Sequence, residues 1–211
     1  MITVPTIRRS NQLLAMVLGY LAFSAVYLGV GTVHLRTPTL LVPGPLDRLL
    51  PFLDWSVWVY LTQFFLLPFA IAAARDDVDR SYTLYALLVA TVLAAAVFLA
   101  WPTQIPRETP SGDGLTALAW RLLHDVDVPA NCFPSLHVAL AVIAGRALWR
   151  RGIRVVAVVW PALIAVSTLT TRQHVAWDVA GGLVLAALAV LITPKVLRLE
   201  RTQFAHDAAG G

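Results

Sequence analysis

The sequence predicts an all-α integral membrane protein, built as a bundle of six transmembrane helices. Of its 211 residues, 58% are hydrophobic and only 13% are charged, whereas a soluble domain contains about 25% charged residues. Several apolar runs approach the length of about 20 residues that crosses a bilayer. The arginines fall in the connections between these runs, which indicates membrane topology rather than nucleic-acid binding.

Six hydrophobic segments are predicted to cross the membrane. They cover residues 13–33, 53–74, 82–101, 134–149, 155–171 and 175–192, of which the fourth is short. The only cysteine, Cys132, excludes an intrachain disulfide. We expect one membrane domain over residues 1–201 and a disordered tail over residues 202–211.

The positive charges are distributed unequally between the two sides of the predicted bundle. One side collects Arg8, Arg9, Arg75, Arg80, Arg146, Arg150, Arg151, Arg154, Lys195, Arg198 and Arg201. The other side collects Arg36, Arg48, Arg107, Arg121 and Arg172. Because cytoplasmic loops carry the excess of positive charge, both termini are predicted to lie in the cytoplasm and the protein in the plasma membrane. The longest outward connection, between spans three and four, is then a long extracytoplasmic loop.

Polar side chains collect at the outer ends of the fourth and sixth spans. The stretch NCFPSLH places Ser135 and His137 at the start of the fourth span. The stretch RQHVAWD places His174 and Asp178 at the start of the sixth, and their spacing of four puts both on one face of a helix. Two spans separate the two histidines, so the chain returns to the same side. Ionisable groups at these depths usually mark function.

These residue types point to phosphoryl transfer. Asp178 can accept a hydrogen bond from one imidazole nitrogen of His174, which fixes the tautomer and leaves the other nitrogen free to attack phosphorus. His137 can protonate the leaving oxygen. The three residues therefore form the predicted catalytic set.

Three further residues are predicted to bind the substrate phosphate. The Ser135 hydroxyl and the free N–H groups of the helix that follows can form an anion site. Arg107 and Arg172, on the same side, can neutralise phosphate oxygens through their forked guanidinium groups. With this charge stabilisation in place, no metal and no other cofactor is expected.

These motifs resemble those of the type 2 phosphatidic acid phosphatase (PAP2) superfamily, whose members have six transmembrane helices and the motifs PSGH and SRxxxxxHxxxD. The first appears here as PSLH, with Leu136 in place of glycine, and the second as STLTTRQHVAWD, with Thr168 in place of arginine. Of the earliest family motif, KxxxxxxRP, Arg107 matches the arginine, whereas Ala100 replaces the lysine and Glu108 the proline.

The phrase FPSLH is more similar to the branch that includes inositol phosphorylceramide synthases. The resemblance covers about residues 105–182 and implies a membrane enzyme that hydrolyses a lipid phosphate or diphosphate through a phosphohistidine on His174. Candidate substrates are polyprenyl diphosphate, phosphatidic acid and phosphatidylglycerophosphate. One alternative is a phosphotransferase that moves a head group between a lipid and an alcohol. More remote ones are a haem protein with His137 and His174 as axial ligands, and a purely structural bundle.

Overall fold

The computed structural model describes residues 1–33, 35–108 and 114–200, and the predicted tail lies outside them. The helices are α1 (Gln12–Thr32), α2 (Pro45–Leu49), α3 (Val57–Leu61), α4 (Gln63–Ala72), α5 (Asp77–Ala100), α6 (Leu115–Val126), α7 (Leu136–Arg151), α8 (Arg154–Thr170) and α9 (Ala176–Val196). The strands are β1 (Ile2–Val4), β2 (Thr39–Leu40), β3 (Thr103–Gln104) and β4 (Leu197–Leu199).

Two short parallel strand pairs mark the opposite ends of the helical body. At one end, here named the lower end, β1 pairs with β4, with Ile2 opposite Leu197. At the other, the upper end, β2 pairs with β3, with Thr39 opposite Thr103. The 21 residues of α1 join the two ends, a distance of about 30 Å at 1.5 Å per residue. Both ends of the described chain therefore lie on the same side of the body.

Six helical rows run alternately between these two ends: α1, α3 continued by α4, α5, α7, α8 and α9. At the lower end, the Arg150 guanidinium at the end of α7 lies 2.5 Å from the Asp79 carboxylate at the start of α5. At the upper end, the Thr170 hydroxyl at the end of α8 donates to the Ser56 hydroxyl at 2.9 Å. Short connections join α4 to α5, α7 to α8 and α8 to α9, whereas longer ones follow α1 and α5.

The helices confirm an all-α membrane protein. Among the described residues, four helical stretches are long and apolar enough to cross a membrane: Gln12–Thr32, Asp54–Ala72, Asp77–Ala100 and Ala176–Val196. Helix α8 is apolar but has only 17 residues. Helix α7 has 16 residues and ends in two arginines. The predicted count of six spans therefore depends on α7 and α8.

Helix α7 is less apolar than its neighbours because other helices, rather than lipid, surround it. It packs against α4, α5, α8 and α9, and its buried side chains include Ala139, Ala141, Ala144 and Ala147. Small residues allow helix backbones to approach closely. At Gly145, an added Cβ atom would lie 2.5 Å from the Ala157 carbonyl oxygen of α8. At the centre of the bundle, the small volume of the α7 side chains therefore matters more for packing than their hydropathy.

The second predicted span is interrupted, although the sequence predicts one continuous helix. A 3₁₀ turn over Asp54–Ser56 precedes α3, and Thr62 separates α3 from α4. The Thr62 hydroxyl donates to the Val59 carbonyl at 2.6 Å and accepts from the Trp160 indole N–H at 2.8 Å. These side-chain bonds compete with the regular helical ladder. The break sets the direction in which the upper part of this row presents its side chains.

Candidate active site

Helices α7 and α9 begin side by side at the upper end. The Ser135 N–H donates to the Asp178 carbonyl at 3.0 Å, and an added Cβ atom at Gly182 would lie 2.5 Å from the Ser135 carbonyl oxygen. This close approach brings the two predicted catalytic histidines together. The ring centroids of His137 and His174 are 6.0 Å apart.

His174 and Asp178 form the pair that their spacing predicts. The His174 Nδ1 atom lies 3.2 Å from Asp178 Oδ2, which also accepts the Val175 N–H at 3.1 Å. A carboxylate accepts but does not donate, so Nδ1 carries the proton and Nε2 keeps its lone pair. Asp178 is fully buried, and its Oδ1 atom has no hydrogen-bond partner among the described residues. An orphaned buried oxygen of this kind occurs at functional sites.

The end of α8 delivers His174 to this position. The Gln173 N–H donates to the Thr168 carbonyl and the Arg172 N–H to the Leu169 carbonyl, both at 3.0 Å, while Arg172 has φ 50°. This is the Schellman pattern that ends many helices, with a left-handed residue that is usually glycine. The His174 N–H donates to the same Thr168 carbonyl at 3.0 Å. The turn therefore fixes the histidine backbone directly after the helix.

His137 has a partner that the sequence analysis did not identify. Its Nδ1 atom lies 3.0 Å from the hydroxyl of Tyr60 on α3, and the two rings are stacked at a tilt, with centroids 4.4 Å apart. Tyr60 is almost completely buried. A tyrosine in an apolar span carries no local signal for this contact, because the contact depends on where α3 packs. A tyrosine hydroxyl can accept as well as donate a hydrogen bond, so Tyr60 can hold the Nδ1 side of the ring while Nε2 gains or loses a proton.

Arg107 is held in a partly buried polar network. Its Nη2 atom donates to the Asp127 carboxylate at 2.8 Å and to the Asp127 carbonyl at 3.1 Å. The other oxygen of this carboxylate accepts the Tyr27 hydroxyl at 2.5 Å. Asp127 and Tyr27 are also residues that the sequence analysis missed. The Arg107 guanidinium is thus paired with a carboxylate at the upper end of the bundle.

The other two predicted phosphate ligands have different surroundings. Arg172 forms an ion pair with Glu108 and its side chain is 50% exposed, so it lies at the surface of the upper end. Ser135 is fully buried and is the N-cap of α7, where its hydroxyl oxygen accepts the Val138 N–H at 3.4 Å. Thr168, at the position of the family arginine, is also fully buried. Phosphate binding by Ser135, Arg107 and Arg172 stays a prediction.

Two other reactive groups near the site are held in uncharged forms. Burial, reinforced by the negative charges of Asp178 and Asp127, raises the pKa of the Cys132 thiol from 9.0 to about 12. A protonated thiol is not a nucleophile at neutral pH. On α6, burial and the positive charge of Arg107 lower the pKa of His124. Within the described residues, no three His, Cys, Asp or Glu side chains are arranged as a metal site.

A cavity of about 530 Å³ lies directly beside His137. It is enclosed by α1, α4, α5 and α7, and its walls are mainly apolar. His137, Tyr60, Asp127 and Tyr27 line its upper end, whereas His174 does not line it. A volume of this size is typical of small-molecule sites. Of the three predicted catalytic residues, His137 is the one that borders the cavity.

Gly182 provides a test of the contact between α7 and α9. We expect Gly182→Ala to displace the start of α7, because the new methyl group would meet the Ser135 carbonyl. The expected cost in stability is about 1–3 kcal/mol, and a 1 Å shift of His137 lowers turnover about 100-fold. Thermal unfolding in detergent and a turnover assay measure the two effects. Gly29→Ala is the matched control, because nothing lies within 4 Å of that position. Equal behaviour of the two variants would contradict the close contact.

One protein family matches most of the chain. The family model described as PAP2 superfamily matches residues 46–192. This range covers more than half of the chain and runs from α2 into α9, with both histidines and Asp178 inside it. No curated protein and no solved structure matches the chain.

Proposed function

The chain belongs to the PAP2 superfamily, and from this premise we propose that it is a lipid phosphatase that acts through a phosphohistidine intermediate. Members of the superfamily are generally phosphatases or phosphotransferases. The observation that carries the finer proposal is the buried His174–Asp178 pair, whose free Nε2 atom belongs to a ring 6.0 Å from that of His137. At this ring separation, a phosphoryl group that lies about 3–3.5 Å from an imidazole nitrogen of one histidine can also be reached by the other histidine.

The proposed reaction has two steps. In the first, His174 Nε2 attacks phosphorus, and the bond between phosphorus and the ester oxygen breaks. His137, protonated on both ring nitrogens, gives its Nε2 proton to the leaving oxygen and becomes neutral. In the second, His137 removes a proton from water, the water oxygen attacks phosphorus, and the bond from phosphorus to His174 breaks. Asp178 stabilises the positive charge that forms on the His174 ring. Both histidines are restored at the end.

The phosphate binds, in this proposal, at the upper end. Arg107, which pairs with Asp127, and Arg172, which pairs with Glu108, are the positive side chains that would bind it. A phosphate would compete with these carboxylates for the guanidinium groups, which bind both anions in the same forked geometry. Ser135 supports the site as the N-cap of α7.

All six helical rows cross the membrane in this proposal, with the upper end outside. Arg75, Arg80 and Arg150 lie at the lower end, where the excess of positive charge indicates the cytoplasm. Helix α7 is shielded from lipid by its neighbours, so its lower hydropathy is tolerated. The site then faces the outer leaflet of the plasma membrane.

Tyr60→Phe tests the proposed orientation of His137. Loss of the hydroxyl removes the bond to Nδ1, and we expect kcat to fall about tenfold, the worth of one buried hydrogen bond, with KM unchanged. An aryl phosphate, whose leaving group needs no proton, should be cleaved at the same rate by both proteins. Tyr85→Phe is the control, since it also loses one hydroxyl bond, to the Pro5 carbonyl at the lower end. An equal loss on both substrates would indicate a structural role only.

The proposed function is tested by phosphate release from purified protein in detergent with EDTA. The panel contains phosphatidic acid, phosphatidylglycerophosphate and a polyprenyl diphosphate. We expect release from at least one lipid and none from His137→Ala. If no lipid releases phosphate, and an added alcohol is instead converted to its phosphate ester, the protein is a head-group phosphotransferase, the alternative that the FPSLH phrase favours. A Soret band in the purified protein would instead support haem binding.

A further inference from the structure

The cavity beside His137 changes from polar to apolar along its length. Its lining on α1 runs from Leu13 near the lower end to Leu28 near the upper end, which corresponds to about 22 Å of helix at 1.5 Å per residue. The lower part is lined by aliphatic side chains such as Met16 and Leu84. Most of the polar lining, including His137, Asp127 and Gln63, lies toward the upper part, whereas Tyr20, Ser24 and Thr91 lie nearer the middle. An amphipathic molecule with its phosphate at His137 would therefore place its hydrocarbon chain along α1.

One polar side chain in this wall, Gln63, has an unpaired oxygen atom among the described residues. Gln63 is only 7% exposed, lines the cavity, and its Oε1 atom is buried without a hydrogen-bond partner among the described residues. A buried carboxamide without partners is costly, and most such groups are paired. Its position within the cavity wall means that a bound molecule can supply the missing partner.

The position of Gln63 between the upper and lower ends of the bundle indicates which part of a bound ligand it would contact. It follows Tyr60 by three residues, which is about 4.5 Å along a helix, and Tyr60 contacts His137. Gln63 therefore lies one step below the level of the proposed phosphate and above the aliphatic part of the cavity. At this level, a lipid phosphate has the group that joins its phosphate to its hydrocarbon chain.

We propose that the substrate is a lipid whose phosphate is joined to its chain through a hydrogen-bonding backbone, of the glycerol or sphingoid type, and that the Gln63 Oε1 atom accepts a hydrogen bond from a hydroxyl or amide N–H of this backbone. This inference rests on the proposed function and narrows its substrate class. A polyprenyl phosphate has only carbon and hydrogen below its phosphate, so it would leave Gln63 without a partner. Gln63 is then a residue that determines specificity.

The test measures binding rather than turnover, by native mass spectrometry of the His174→Ala protein in detergent. Four monophosphates with one chain each are compared: lysophosphatidic acid, sphingosine 1-phosphate, octadecyl phosphate and geranylgeranyl phosphate. The first two carry a hydrogen-bonding backbone, and the last two do not. We expect the first two to bind about tenfold more tightly, and their relative affinities to distinguish the glycerol from the sphingoid type.

The variant Gln63→Leu should remove this preference by weakening the first two lipids to the level of octadecyl phosphate. Gln12→Leu is the matched control, because its Oε1 atom is also buried without a partner but Gln12 does not line the cavity. Equal binding of all four lipids to the protein with Gln63, or a preference that survives in Gln63→Leu, would overturn the inference. The first comparison holds even if the variant does not fold. A preference for backbone lipids without phosphate release from any of them would contradict the proposed function alone.

Discussion

His174→Ala is expected to abolish phosphate release, with a loss of about 10⁴-fold or more. In the proposed reaction His174 forms the bond to phosphorus, and no other described side chain occupies an equivalent position. The nearest alternative is His137, whose Nδ1 atom is engaged by Tyr60 at 3.0 Å. The nearby thiol of Cys132 is protonated, because its pKa is raised to about 12. Neither can replace the missing nucleophile.

Trapping the intermediate makes this prediction specific. With a substrate labelled on phosphorus, rapid quenching in alkali should show a covalent phosphohistidine in the unsubstituted protein and none in His174→Ala. His124→Ala serves as the control, since His124 lies on α6 and packs edge-on against Trp120, with ring centroids 5.4 Å apart. Its label and turnover should be retained. Label that persists in His174→Ala would assign the nucleophile to another residue.

Asp178→Asn is expected to lower kcat by about 10³–10⁴-fold, the scale on which an enzyme loses rate when the carboxylate that orients its histidine becomes an amide. Asparagine can still accept the Val175 N–H, so the start of α9 should be preserved. Its amide group is neutral and cannot stabilise a positive His174 ring. The loss should therefore appear in kcat, with KM little changed.

Asp47→Asn is the matched control for this substitution. Asp47 also accepts a backbone N–H at the start of α9, from Ala176 at 2.7 Å, but it makes no contact with a histidine. If both variants lose activity equally, Asp178 would act only as a support for the helix. Circular dichroism and thermal unfolding in detergent establish that both proteins remain folded.

The membrane class and the pairing within one motif could be predicted because both depend on local order in the chain. Long apolar runs are sufficient for spans such as α5 and α9. The spacing of four between His174 and Asp178 places them on one face, and the structure has this contact at 3.2 Å. The resemblance to the PAP2 superfamily is confirmed over residues 46–192. The similarity to the inositol phosphorylceramide synthase branch stays a prediction, as does the division into a domain and a tail.

Helix α7 shows why hydropathy alone is an incomplete guide to the spans. Its 16 residues end in two arginines, yet its middle is among the most deeply buried parts of the described chain. Hydropathy reports the preference of a segment for lipid. It does not report burial among other helices, where small residues such as Gly145 matter more.

Local sequence pattern determined the membrane class, the end of the bundle at which the histidines gather, and the His174–Asp178 pair, since each follows from periodicity or spacing within a short segment. Tertiary packing alone decided that Tyr60 contacts His137, that Asp127 holds Arg107, and that Gln63 lines the cavity without a partner. These contacts join segments between 20 and 77 residues apart. The periodicity within one segment cannot predict contacts between segments so far apart in the sequence. These contacts depend on how the helices pack and on how closely neighbouring helices approach each other.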